Sequence, residues 1–174
     1  VEASGQECVA PATWDEMFAM AQGVVDNTDA AGVGLAGKDF DNTMHQFLNY
    51  LYSNGGVVID PATGENKLDS QQTRETLEFY GRLATVSQEG PTAWERDQLK
   101  DLFNDGKIAM YVQGPWGYGQ HNADINQLVA PVPAGPSGGG VSAAGLLGAG
   151  GSGGCRPLGP GQSRRRACVN TCLR

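Results

Sequence analysis

Residues 102–119 read LFNDGKIAMYVQGPWGYG, and the order of residue types in this stretch decides the fold class. Phe103 closes an amphipathic run, Asn104, Asp105 and Gly106 supply turn chemistry, and Ile108 to Val112 is an apolar run of strand length. Gly114 and Pro115 then stop the strand. Proline suits the first position of a helix, so Trp116 is expected in a helical first turn, beside unpaired backbone donors. Two readings of Trp116 stand at this point: a core aromatic, or a flat apolar platform at the mouth of a cleft.

Working back from this stretch, the same alternation recurs. Thr13 followed by Glu16 is a capping box that starts a helix with Trp14, Met17, Phe18, Ala21, Val24 and Val25 on one stripe. Gly32 to Ala36 reads as a short buried strand. A second helix from Asp41 carries Phe40, Met44, Phe47, Leu48, Leu51 and Tyr52 on one side, interleaves His45, Gln46 and Asn49, and ends at Asn54-Gly55-Gly56. Val57 to Ile59 form a brief strand that turns at Asp60 to Gly64 and returns through Lys67 and Leu68. Asp69 or Ser70 caps a third helix, whose buried face is expected to hold Thr73, Leu77, Tyr80, Leu83 and Ala84. A fourth helix over Trp94 to Phe103 leads into the opening stretch. Beyond it, Leu128 to Val132 is broken by Pro131 and Pro133, which suits an edge or crossing segment. Helices alternating with short apolar strands indicate a layered α/β domain.

Charge divides the chain in two. Residues 1–154 hold all 19 acids and a net charge of -12, while the last twenty residues carry +5. So acidic a body argues against nucleic-acid or anionic-membrane partners. No apolar run is long enough for membrane insertion, and the amino end lacks the profile of a signal peptide. Cys8 stands alone, and Cys155, Cys168 and Cys172 fall in the basic tail with spacing that fits neither a disulfide framework nor a zinc site. The organisation expected is a disordered lead-in over 1–10, a folded body over 11–137, a Gly-rich linker over 138–154 and a disordered basic tail over 155–174.

Taken in order, PATWDEM (11–17), the helix ending in Asn54-Gly55-Gly56, the Asp69 to Phe79 helix start, FNDGKIAM (103–110), Gly114-Pro115-Trp116 and VPAGPSG (132–138) resemble the bacterial carbohydrate-binding extracellular solute-binding proteins of ATP-driven importers, the maltose-binding-protein group. The resemblance implies a type II periplasmic-binding-protein fold, two α/β lobes closing over a mono- or oligosaccharide that is handed to the permease subunits of an ABC transporter. It implies an extracytoplasmic location, in the periplasm or at the cell surface, for the full-length protein. Members run to roughly twice this length, so the chain is expected to be an incomplete single lobe. The arginine-, proline- and glycine-rich tail has the look of a shifted reading frame.

In the resemblance Trp116 takes the place of a tryptophan that stacks on a sugar ring, and the physics agrees: C–H patches on a pyranose face pack on an indole, while the hydroxyl rim needs polar partners. His45, Gln46 and Asn49 occupy the helix that in the family faces the cleft, and Tyr118 and His121, on the face following Trp116, either line the cleft or face water. Trp14 reads as a staple or core residue. No nucleophile motif, metal site or cofactor-binding loop is signalled, so no catalytic residue is assigned. Asp97, Asp101 and Asp105 recur at helical spacing and read as a solvated face. Two alternatives to a sugar receptor remain at this stage: a truncated product without ligand binding, and a carbohydrate-active enzyme with paired carboxylates.

Overall fold

Thr13 sits in extended backbone and its hydroxyl accepts from the Glu16 N–H at 3.2 Å, which starts α1 (Trp14–Asn27). The Glu16 carboxylate reaches back to the Ala12 N–H at 2.7 Å, one residue earlier than an ideal capping box, and satisfies a second free donor. Ser70 starts α3 (Gln71–Ala84) in the same manner by accepting from Thr73, while α2 (Asp41–Ser53) begins without a side-chain cap. The last helix, α4 (Arg96–Asn104), opens on a reciprocal Glu95–Gln98 capping box. Trp94, expected inside that helix, precedes it: Pro91–Ala93 form a separate short turn, and the Trp94 indole donates to the Glu89 carbonyl at 2.9 Å. This computed structural model describes residue 1, residues 4–123, residue 125 and residues 127–138, with the side chains of Pro115 and Tyr118 outside that set. The expected linker beyond Gly138 and the basic tail, with Cys155, Cys168 and Cys172, lie outside the described residues.

Three extended segments run parallel. Residues 31–36 lie in the middle, bridged through Val33 to Ser87 on one side and through Ala31 and Gly34 to Ile108 and Tyr111 on the other. Backbone hydrogen bonds of 2.7 to 2.9 Å from Ala31, Gly34 and Ala109 tie the middle segment to residues 107–110. Parallel pairing requires both faces to be covered. One face carries the larger cluster, in which Met17, Ala21 and Val24 of α1, Tyr50 of α2 and Phe79 and Leu83 of α3 pack on Val33, Leu35 and Met110. The opposite face carries Leu99 and Phe103 of α4 against Ile108 and Tyr111. The result is a helix–sheet–helix layering, as the alternation of elements implies.

Trp14 is a core residue, 4% exposed, stacked on Phe79 at 4.3 Å between ring centroids and edge-on to Tyr50, with its Nε1–H donated to Ser53. Gly106, the pivot of the turn from α4 into the strand, has φ 73°, a conformation that favours glycine. Residues 57–68 form the expected hairpin, joined by an antiparallel bridge between Ile59 and Asn66. It lies at the surface, with Val57, Ile59 and Leu68 exposed. Ala134 pairs in parallel with Thr13, so the proline-broken segment crosses to the start of α1, burying Val129, Ala130 and Val132 on the way. The lead-in also contributes: Val1 is buried in the main cluster and Cys8 packs partly against it.

Two helix faces differ from the expectation. In α2 the buried positions are Asn42, Gln46, Tyr50, Leu51 and Ser53, which leaves Phe40 and Met44 each 53% exposed. In α3 they are Thr73, Thr76, Phe79 and Leu83, so Leu77 and Ala84 face outward. In both cases the strip that meets the sheet includes polar residues with bonds to make, and hydrophobic spacing alone selects a neighbouring strip.

Candidate functional site

In parallel α/β sheets, ligands gather at the carboxyl ends of the strands. Here three such ends adjoin. Residues 31–36 lead into the loop before α2, the segment around Ser87 leads into the Pro91–Ala93 turn, and residues 108–112 lead through Gln113 and Gly114 into a 3-10 helix at Pro115–Gly119. The first two are joined: the Gly37 and Lys38 N–H groups each donate to the Trp94 carbonyl at 3.2 Å, and Lys38 pairs with Glu95 at 3.3 Å.

Trp116 is 53% exposed, so the core reading fails and a solvent-facing indole stands at a strand's carboxyl end. It is flanked by Arg96, whose guanidinium carbon lies 5.1 Å from the ring centroid. Gln113, 6% exposed, accepts the Gly114 N–H at 3.0 Å, while its Nε2 has no acceptor among the described residues. Sequence reasoning did not select Arg96 or Gln113. An arginine in a first helical turn reads as a solvated charge, and Gln113 adjoins an apolar run without altering its pattern.

The α2 candidates separate into two groups. Gln46 is 4% exposed: its Oε1 accepts from Ala36 N–H at 2.7 Å and lies 2.8 Å from the Tyr80 hydroxyl, and its Nε2 donates to the Gly34 carbonyl at 3.2 Å. This corrects the expectation for Gln46. It is a peg that completes the edge of the middle segment, because one amide side chain supplies the donor and the acceptor that the backbone there lacks. His45 is exposed, and Asn49 is half-buried with its amide donated to the His45 carbonyl at 2.8 Å. No hydrogen bond or ring contact among the described residues joins these three to Trp116. Tyr118 lies in the 3-10 helix, and its side chain is outside the described set.

His121 neither lines a cleft nor faces water freely. Its Nε2 lies 3.3 Å from the Tyr111 hydroxyl and its Nδ1 3.3 Å from Asn104 Oδ1, with the ring packed on Phe103. Burial, then the Lys100 ammonium, hold its pKa below the ordinary imidazole value. A separate open depression of about 330 Å³ lies between α1, α3 and residues 134–136 and includes none of the expected residues. Of its charged groups, Asp15 pairs with Arg82, and Glu75 accepts from the neutral side chains of Asn54, Gln71 and Ser137, which together hold its pKa low.

The profile of the bacterial extracellular solute-binding proteins matches residues 1–154. The chain belongs to that family. Its match takes in the lead-in and the Gly-rich stretch, which composition alone sets apart. A putative binding protein of Brucella abortus strain 2308 is 28% identical to this solute-binding protein over 134 residues, 74% of this chain and 32% of its own length. Among solved structures, the maltose-bound MalE3 protein of T. maritima superposes with a TM-score of 0.70 at 26% identity, over 79% of this chain and 37% of that one. A tagatose-bound ABC-transporter solute-binding protein of Thermotoga lettingae gives 0.61 at 26% identity, over 67% and 31%. The GacH receptor of Streptomyces glaucescens, solved unliganded and with acarbose, gives 0.64 at 26% identity, over 79% and 36%. The solute-binding protein therefore has the type II periplasmic-binding-protein fold, and its described residues form a single lobe. The chain spans about a third of the length of the relatives it matches. No helix among its described residues is long and apolar enough to cross a membrane.

Proposed function

We propose that this chain supplies one wall of a carbohydrate-binding cleft in the extracytoplasmic receptor of an ABC sugar importer, with Trp116 as the stacking platform. The observation that carries the reading is the half-exposed Trp116 indole at the adjoining carboxyl ends of parallel segments, in a family whose solved members hold maltose and tagatose. A pyranose laid on the indole buries its C–H face, and the exposed His45, the Asn49 amide and Tyr118 offer polar contacts to a hydroxyl rim. The function asks for binding and release rather than bond making, and the importer's permease subunits are the partners that receive the sugar.

A single wall holds a sugar weakly, so the test is a titration that detects weak binding. In ¹H–¹⁵N spectra of the chain, maltose or D-tagatose is expected to shift the Trp116 indole N–H saturably and leave that of the buried Trp14 unmoved. Trp116→Ala is expected to abolish the shifts of neighbouring residues. Equal movement of Trp14, or no saturable movement at Trp116 with either sugar, overturns the reading.

A further inference from the structure

A half-exposed tryptophan on a short turn has no reason of its own to hold one orientation, yet this indole is fixed by two neighbours. The first is Gly114. A Cβ built there would fall 2.3 Å from both Cη2 and Cζ2 of Trp116, so the six-membered ring occupies the space that any other residue's side chain would need. The second is Arg96, whose guanidinium lies over the ring at 5.1 Å and is mostly withdrawn from solvent.

Among the described residues, what places Arg96 there is the ring rather than an acid. Its only ion pair within that set is to Asp97, its sequence neighbour, at 3.5 Å, and that carboxylate is 70% exposed, which makes the pair weak. Its Nε–H is buried with no acceptor among the described residues. An arginine that leaves one donor unmatched while resting on an aromatic face is held by the attraction of the cation for the ring's electron-rich face. That face of the indole is thereby occupied, and the exposed area of Trp116 belongs to the rest of the ring.

We propose that Arg96 and Gly114 are positioning residues that hold the Trp116 indole in one preset orientation with one face covered, so that a ligand ring stacks on the opposite face only. The second half of this statement rests on the carbohydrate reading; the first half does not. A platform that is ordered before the ligand arrives spares the ligand the entropy of ordering it.

The test uses the 174-residue chain labelled with 5-fluorotryptophan, which places ¹⁹F probes at Trp14, Trp94 and Trp116. Trp116→Phe assigns the Trp116 signal by its loss. Arg96→Met keeps the length of the side chain and removes the cation; Arg96→Lys restores a cation without the planar fork. In Arg96→Met the Trp116 line is expected to narrow and its H₂O-to-D₂O isotope shift to grow as the ring comes free. Arg96→Lys should return both part of the way, and Trp14 and the melting temperature should not change. Gly114→Ala should displace the Trp116 signal with the cation still present. In maltose titrations Arg96→Met is expected to weaken binding about two- to fivefold, the scale of an exposed cation–ring contact. An unchanged Trp116 linewidth and isotope shift in Arg96→Met overturns the positioning role. If the unsubstituted chain shows no maltose response at Trp116, the carbohydrate reading fails, and the linewidth and isotope shift still decide the role of Arg96.

Discussion

Gln46 illustrates how a side chain can carry the chemistry of a ligand contact and spend it inside its own fold, on two backbone groups and the Tyr80 hydroxyl. Replacing it with alanine strands the Ala36 N–H and the Gly34 carbonyl inside the domain. Gln46→Ala is therefore expected to cost about 3 kcal/mol in chemical denaturation, whereas Asn49→Ala, which loses only a bond to a carbonyl of its own helix, should stay within about 0.5 kcal/mol. His121 gives a pH signature. Its folded pKa lies below its unfolded value, so the unfolded chain takes up a proton first on acidification. Stability from this group is complete above about pH 6.5 and declines as the pH falls through the interval down to the folded value. His121→Gln should flatten that part of a melting-temperature profile; an unchanged slope would show that His121 is not its source. The place of Trp116, in a helical turn at a strand's carboxyl end, was legible in the sequence because Gly-Pro both ends a strand and starts a helical turn; its exposure was not, since the residues alone left a core aromatic equally open. Gln46 and His45, adjacent in sequence, were not separable there. Only the buried positions Asn42, Tyr50 and Ser53, on the same strip as Gln46, reveal which of the two faces inward.

Among the elements, α3 shows which features a sequence displays most clearly. Its start is set by local chemistry, the Ser70 hydroxyl on the Thr73 N–H, and Ser70→Ala is expected to cost about 1 kcal/mol. Its rotation is set by the partner surface, and there the apolar pattern misleads. Leu77 is 57% exposed while Thr76 is fully buried, its hydroxyl donated to the Gln72 carbonyl. Leu77→Gln should therefore leave the denaturation midpoint within about 0.5 kcal/mol of the parent value. A larger loss would mean that Leu77 packs against something in solution. Residues 108–112 were legible as a strand for a related reason: Ile108 to Val112 is buried on both faces, and a continuous apolar run is what a parallel strand in the central layer of a layered fold requires. The start of α4 was not, because Trp94 reads as the first apolar residue of the stripe, while the Glu95–Gln98 pair fixes the start two residues later.

For the whole molecule, the sheet separates two apolar clusters that meet through backbone rather than through shared side chains. Met17 and Phe103 are both fully buried and lie on opposite faces. Met17→Ala and Phe103→Ala are each expected to cost about 3 kcal/mol, and the double variant should equal the sum within about 0.5 kcal/mol. A marked departure would show that the layers communicate through the sheet. The layering was readable from alternation alone, whereas the parallel segment at Ser87 and the convergence of three loops at one end were not, because both depend on which segments pair. The same pairing governs how the chain can be made. Thr13 joins Ala134, the two ends of the described body, and the middle segment waits for partners from residues 86–87 and 107–111. A ribosome that has delivered α1, α2 and the surface hairpin has delivered the Gln46 side chain but neither backbone partner of residues 31–36. One edge of that segment must wait for residues 86–87 and the other until translation has passed Tyr111, and the first helix stays unanchored at Thr13 until Ala134 is clear of the exit tunnel.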